Sequence, residues 1–162
     1  GLATNHIEIK KISSILSSDL ILKKLSLMNH SLSNDFNIKK PKIAVLGLNP
    51  HNCEFEKNSE EVKSIIPAIK KLRKQGSVYG PMVADNFFKN DYKNYDVVVG
   101  MYHDQVLIPF KNFFKFDAIN MTLGLNYIRI SPDHGTAKDI ILKSRGNPKS
   151  LLESIKFLDK LK

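Results

Sequence analysis

Cysteine is almost missing from this 162-residue chain, which carries only Cys53. A single thiol excludes an internal disulfide and fits a reducing, cytoplasmic setting. Cys53 stands close to His51, which invites a nucleophile or thiolate-ligand reading, although a free cysteine is more often a small apolar residue. No apolar run approaches the roughly 20 residues of a membrane span. The start, Gly1-Leu2-Ala3-Thr4-Asn5-His6, has no basic region followed by an apolar one, so it does not read as a secretory signal. It also lacks an initiator Met, and the chain reads as processed or cut from something longer. Acidic residues are few: 16 Asp and Glu against 25 Lys and Arg give a net charge of +9. That balance brings nucleic acid to mind first. Yet the lysines are scattered through amphipathic segments, and no basic block is interleaved with aromatics. They read as solvated faces, and a nucleic-acid partner is not expected. A basic field also helps to attract an anionic, phosphorylated small molecule.

What the chain does contain is globular. Hydrophobic residues make up 42% of it, enough for a single α/β unit over 1–162 with a real core. The organising stretch is Val97-Val98-Val99-Gly100-Met101-Tyr102-His103-Asp104-Gln105. Its β-branched run reads as a buried strand, and a histidine, a carboxylate and an amide follow at once. The same grammar recurs where 42–48 runs into Asn49-Pro50-His51, and where the short Leu2-Ala3-Thr4 runs into Asn5-His6. In open α/β sheets, ligands lie just past the C-terminal ends of strands.

Between these strands the periodicity is helical. Ile9, Ile12 and Ile15-Leu16 make a first helix, and Ser17-Ser18-Asp19 caps a second that runs to Met28. Ser59 with Glu60 and Glu61 opens a third, with Val62, Ile65, Ile66, Ile69 and Leu72 as its apolar stripe and Gly76 as its stop. Pro67 should kink or break that helix, and Pro109 should shorten one starting at His103. Tyr79-Gly80-Pro81 reads as a turn. Two further strands are expected over 118–123 and 127–130, a helix over 137–144, and a last helix capped by Ser150, with Leu151, Leu152, Ile155, Leu158 and Leu161 as its buried stripe. Alternation of strands with helices implies a substantially parallel sheet.

Three strand-end histidines could hold a divalent metal, since three protein ligands and an open position describe a catalytic centre. Their spacing fits no compact motif, so ordinary loop histidines are the alternative. His30, in a helix tail, reads as surface. Asp104 could orient a ligand, act as a base or simply cap a helix. Lys111, Asn120 and Arg129 follow at wide spacing. An Arg between Ile128 and Ile130 either meets a carboxylate or phosphate or lies on the wet face of an edge strand. Asp133-His134-Gly135-Thr136-Ala137 opens a helix with a glycine and a ring, an arrangement suited to a nucleotide.

Taken together and in order, Gly47-Leu48-Asn49-Pro50-His51, Gly80-Pro81 with Ala84-Asp85, Met101 to Gln105, Asn120 to Leu125 and Asp133 to Ala137 resemble the 4-hydroxythreonine-4-phosphate dehydrogenases of pyridoxal phosphate biosynthesis. The resemblance covers nearly the whole chain but only the C-terminal half of such an enzyme. It implies an isocitrate/isopropylmalate dehydrogenase-like α/β/α fold and an obligate homodimer. It implies His6, His51 and His103 as ligands of one divalent ion (zinc, magnesium or cobalt), contributed across the dimer interface. Lys111, Asn120 and Arg129 would contact substrate, with Asp104 and Lys111 in catalytic roles, and His134, Gly135, Thr136 and Ala137 would hold the adenosine of NAD. The implied reaction is NAD-dependent oxidation and decarboxylation of 4-phosphooxy-L-threonine to an amino-ketone phosphate. A paralogous dehydrogenase of a 4-phosphorylated erythronate or threonate is the near rival, and a basic nucleic-acid-binding domain the distant one. The chain departs from the family after His51, where a glycine-rich loop is replaced by Cys53-Glu54-Phe55-Glu56. Without the other half of the enzyme, the piece is expected to be inactive alone.

Overall fold

Strand β1 (Lys42–Leu46) is apolar on both faces and lies between two parallel neighbours. On one side is β2 (Ser77–Met82), on the other β3 (Val97–Val99), with Ile43 opposite Val78 and Val45 opposite Val99. The computed structural model describes residues 1–161 other than Gln75, Leu142 and Ser144. Strand β2 corrects the expected turn at Tyr79-Gly80-Pro81. Glycine and proline are turn signals, but an edge strand tolerates both. Gly80 is needed there: it has φ +132°, and a Cβ on it would come within 2.3 Å of the Val45 carbonyl oxygen. The N-terminal segment adds one parallel bridge, Leu2 to Gly100, instead of the short strand read from its sequence.

Helices cover the sheet. The first, α1 (Ile9–Ile15), is followed by α2 (Ser18–Asn34), whose Ser17 hydroxyl accepts from the Leu20 N–H as expected of a cap. Next come a wide π turn at Glu61–Ile65 and α3 (Ile66–Arg73). Pro67 falls in the first turn of α3, where its missing N–H costs little, and the wide turn absorbs the break. Ile65, Ile69 and Leu72 are buried, and the Gly76 N–H returns to the Leu72 carbonyl at 3.1 Å. The short α4 (Ala84–Phe87) precedes β3, and α5 (His103–Phe114) follows it. α5 continues through Pro109, so the expected shortening does not occur. Ala44 and Leu46 pack with Phe87 of α4 and Val106 of α5. By the two-residue period Ile43 and Val45 face the other way, on the side where α3 packs on β2 and α2 on α3.

The chain forms two compact units, Gly1–Leu107 and Ile108–Lys162. The second contains β4 (Ile119–Thr122) and β5 (Arg129–Pro132), the two strands expected there. They pair antiparallel with each other, not in the parallel sheet. The last helix, α6 (Lys149–Lys160), packs on both. Ser150 does not cap it. It lies inside the helix, 1% exposed, where its hydroxyl donates to the Ala118 carbonyl at 2.5 Å and accepts from the Asp133 N–H at 2.8 Å. The helix therefore buries Ser150 and Ser154, while Leu151, Leu152, Ile155 and Leu158 stay 40–50% exposed, the reverse of the expected stripe. A 3-10 turn at Lys138–Ile140 stands where a helix over 137–144 was expected, and Leu142 and Ser144 lie outside the described residues. Among the described residues, no helix is long and apolar enough to cross a membrane.

Candidate active site

His6 and His103 are brought together by backbone pairing at the open end of β3. The Ala3 N–H donates to the Gly100 carbonyl at 2.9 Å, and the buried Thr4 hydroxyl donates to the Met101 carbonyl at 2.7 Å. This fixes the N-terminal segment alongside the strand end, and the two imidazoles follow with ring centroids 5.0 Å apart. They line an open cleft of about 210 Å³ with Asn5, Ile7, Ile9, Ile12, Tyr102 and Asp104. His103 Nδ1 lies 2.7 Å from the Asp104 carboxylate. A carboxylate can only accept, so Nδ1 carries the proton at this contact, and in the neutral ring the lone pair lies on Nε2. Asp104 thus orients a ring, whichever ligand that ring meets.

His51 does not join this pair. It is exposed and begins a run of five residues, His51 to Phe55, all with φ between 47° and 57°. None is glycine, and for L-residues the left-handed conformation costs roughly 1–2 kcal/mol each. Contacts from elsewhere hold the loop. Asn52, 2% exposed, donates from Nδ2 to the Pro81 carbonyl at 3.1 Å. Its amide oxygen lies over Gly47, where a Cβ would be only 1.9 Å away, so that position must be glycine. Glu61, fully buried, accepts the Leu48 and Asn49 N–H groups on one oxygen, each at 2.8 Å, and the Asn49 side-chain amide on the other at 3.0 Å. Glu60 accepts the same amide at 2.8 Å. Hydrogen bonding from Ser13 is the main cause that holds the Glu60 carboxyl below its ordinary value. Cys53 sits among these acids. Burial, then the charges of Glu56, Glu61, Glu60 and Glu54, push its thiol above the ordinary range, which disfavours the thiolate that a nucleophile or metal ligand requires.

Gln105 links the two strand ends. Its amide donates to the Gly47 carbonyl at 2.6 Å and its oxygen accepts the Met101 N–H at 2.7 Å. Two imidazoles, one of them oriented by a carboxylate, suit a divalent ion but fall one short of the three protein ligands of a catalytic centre. Among the described residues, no three His, Cys, Asp or Glu side chains gather closely enough to hold a metal. His30 is exposed, as read from sequence, and its ring meets the Asn34 amide.

In the second unit, register brings Asn120 and Arg129 together. Asn120 pairs with Ser131 and Thr122 with Arg129, so all four share one face of the two-stranded sheet. Arg129 is exposed, on the wet face that is one of its two sequence readings, and donates to the Thr122 hydroxyl at 2.8 Å. Lys111 instead pairs with Asp133 at 3.2 Å. Both line a cavity of about 470 Å³ with Lys115, Phe116, His134, Gly135, Ala137 and Arg145. Three of the four residues expected to hold a nucleotide are therefore on its wall.

A family profile described as pyridoxal phosphate biosynthetic protein PdxA matches residues 1–158. The chain belongs to the PdxA family. It is 44% identical over 164 residues to the 4-hydroxythreonine-4-phosphate dehydrogenase of Sulfurihydrogenibium sp. (strain YO3AOP1), an alignment covering 100% of this chain and 51% of that protein. The crystal structure of 4-hydroxythreonine-4-phosphate dehydrogenase from Klebsiella pneumoniae matches with a TM-score of 0.84 and 34% identity, over 99% of this chain and 50% of that one. A terephthalate 1,2-cis-dihydrodiol dehydrogenase from Burkholderia xenovorans LB400 matches with a TM-score of 0.76 and 28% identity, over 96% and 50%. The chain thus spans about half the length of the relatives it matches, and its α/β fold with a parallel sheet is the fold of those PdxA-family structures. Sequence reading passed over two structural residues of this PdxA-family site, Glu61 and Asn52. Glu61 was legible in principle: it stands four residues before Ile65, on the stripe that continues to Ile69 and Leu72. A carboxylate on a buried stripe requires partners.

Proposed function

We propose that this chain is the part of a 4-hydroxythreonine-4-phosphate dehydrogenase that carries its metal ligands and the adenosine pocket of NAD. The reaction is oxidation of 4-phosphooxy-L-threonine at its secondary hydroxyl, followed by loss of CO2 to leave an amino-ketone phosphate. The observation that carries this reading is the His6–His103 pair with Asp104 on Nδ1, in a chain of the PdxA family. His6 and His103 would hold one divalent ion together with His51 of a second copy, which makes the enzyme a homodimer. The exposed position of His51, apart from the pair, supports a shared site of this kind. When bound, the ion supplies Lewis acidity at the substrate hydroxyl, and NAD supplies a hydride acceptor.

The remaining roles belong to the chain itself. Asp104 holds the His103 Nδ1 proton and so keeps Nε2 available as a ligand. Asn120 and Arg129 on one sheet face, and Lys111 beside the nucleotide cavity, bind the anionic ends of the substrate. His134, Gly135, Thr136 and Ala137 take the adenosine. The fragment alone binds metal without turning over substrate, because hydride donor and acceptor must be held in one closed site.

The test is metal analysis of the purified chain and its His51→Ala variant, with light scattering for mass, followed by assay of the full-length enzyme on 4-phosphooxy-threonine, 4-phosphoerythronate and 4-phosphothreonate. Full metal occupancy in His51→Ala, or a monomer that reduces NAD at an ordinary enzymatic rate, would overturn the reading. The sugar acids are worth assaying because a dehydrogenase named for a chemically unrelated substrate, a cis-dihydrodiol, shares this fold.

A further inference from the structure

We propose that Glu61 is the positioning residue of His51. The inference rests on the metal-ligand reading above and adds a residue to it. His51 stands in a loop that its own sequence disfavours, since five consecutive non-glycine residues there are left-handed. Such a conformation persists only where surrounding structure over-determines it. The Asn52 amide on Pro81 fixes the middle of the loop. Glu61 fixes its entry: one carboxylate, with no exposed surface, takes both backbone N–H groups just before Pro50-His51 and, on its second oxygen, the Asn49 side chain.

A negative carboxylate on two convergent N–H groups makes charge-assisted bonds, roughly twice as strong as neutral ones. Burial removes the water that would otherwise compete for those donors. The side chain comes from the wide turn that leads into α3, so its position is set by the buried apolar stripe below it and not by the loop. The carboxylate therefore transmits the rigidity of the core to a ligand-bearing loop. The hydrogen bonds that Glu61 accepts come from Leu48 and Asn49, so it acts on the imidazole through the backbone. Its effect is on where the ring stands and how much of the time it stands there.

The variant Glu61→Gln keeps size and one acceptor oxygen but loses the charge and places an N–H2 group among donors. Two readouts separate positioning from mere stability. In the metal-free chain, amide exchange at Leu48 and Asn49 and through His51–Phe55 should accelerate by about ten-fold or more, while exchange in β1 and α2 keeps its rate. In zinc titrations by calorimetry, Glu61→Gln should bind about ten-fold more weakly, approaching His51→Ala. Unchanged exchange over 48–55, or exchange that accelerates equally everywhere, overturns the inference. Zinc affinity equal to wild type in Glu61→Gln but lost in His51→Ala also overturns it. If His51→Ala binds zinc as wild type does, the metal reading fails by itself, and the exchange data alone decide whether Glu61 holds the loop. Should Glu61→Gln not fold, Asn49→Ala removes one of the three donors and should accelerate the same amides by roughly two- to five-fold. Unchanged exchange in that variant counts against the proposal.

Discussion

The side-chain amide of Gln105 donates to the Gly47 carbonyl across 2.6 Å, joining the end of β1 to the start of α5. Since Gln105 also accepts the Met101 N–H, one side chain satisfies two backbone groups that the parallel ladder leaves open. Gln105→Ala strands both in a partly buried place. The expected cost is roughly 1–3 kcal/mol, read from urea unfolding followed by circular dichroism. A loss below about 0.5 kcal/mol would show that water replaces the amide there.

The left-handed loop gives a prediction of the opposite sign. Glu54 is exposed, with φ +47°. Glu54→Gly removes a conformational penalty of about 1–2 kcal/mol and adds roughly 0.5–1 kcal/mol of unfolded-state entropy. The variant should be more stable by about 0.5–1 kcal/mol in urea melts. A destabilised Glu54→Gly would mean that the carboxylate itself contributes contacts to the loop.

Cys53 carries a pH prediction. Burial, followed by the Glu56, Glu61, Glu60 and Glu54 charges, raises its ionisation above the ordinary thiol range. The folded chain therefore keeps its thiol proton at a pH where the unfolded chain has begun to lose it. Stability from this group is complete below the unfolded pKa and is lost as pH rises through the folded one. The alkylation rate with iodoacetamide should be slow at pH 7 and should rise at a higher pH than that of a cysteine peptide. An alkylation midpoint at or below the peptide's would reinstate Cys53 as a candidate nucleophile.

The shared face of Asn120 and Arg129 can be tested in the full-length enzyme. If Arg129 binds the substrate as proposed, Arg129→Met removes a charge-assisted contact of about 1.5–3 kcal/mol, and kcat/KM on 4-phosphooxy-threonine should fall roughly ten-fold or more. Thr122→Val tests whether the hydroxyl holds the guanidinium in place, since Arg129 donates to it. A smaller fall of the same kind is expected. Unchanged kinetics in Arg129→Met would leave the residue a purely structural role.

The fold was legible in sequence where composition and periodicity agree. β1 and β3 stand out as apolar runs, α2 has its Ser17 cap, and the Ile65–Leu72 stripe is buried. Reading failed where one residue type serves two purposes. Gly80 and Pro81 signal a turn and yet occupy an edge strand. Pro109 signals a stop inside a helix that continues. In α6 the leucine spacing is helical, but Ser150 faces inward because the Ala118 carbonyl and Asp133 N–H need partners, and Ser154, one turn on, donates to the Ser150 carbonyl. In the candidate site, strand-end position identified His6 and His103, which do meet. The left-handed turn at His51 was not legible, because neither glycine nor asparagine-glycine marks it. Its cause lies in Glu61, outside the loop.

The pairing that delivers His6 to His103 also bears on the order in which the first unit folds. The Thr4–Met101 bond closes a separation of 97 residues, and contacts so distant in sequence form late, after local helices and nearer strand pairs. The histidine pair is thus among the last features to assemble and the first to come apart. An ion held by both rings would act as a clasp on a loop that spans nearly the whole unit. It would slow the opening of the chain more than it speeds closure, since it adds to interactions absent until the end of folding.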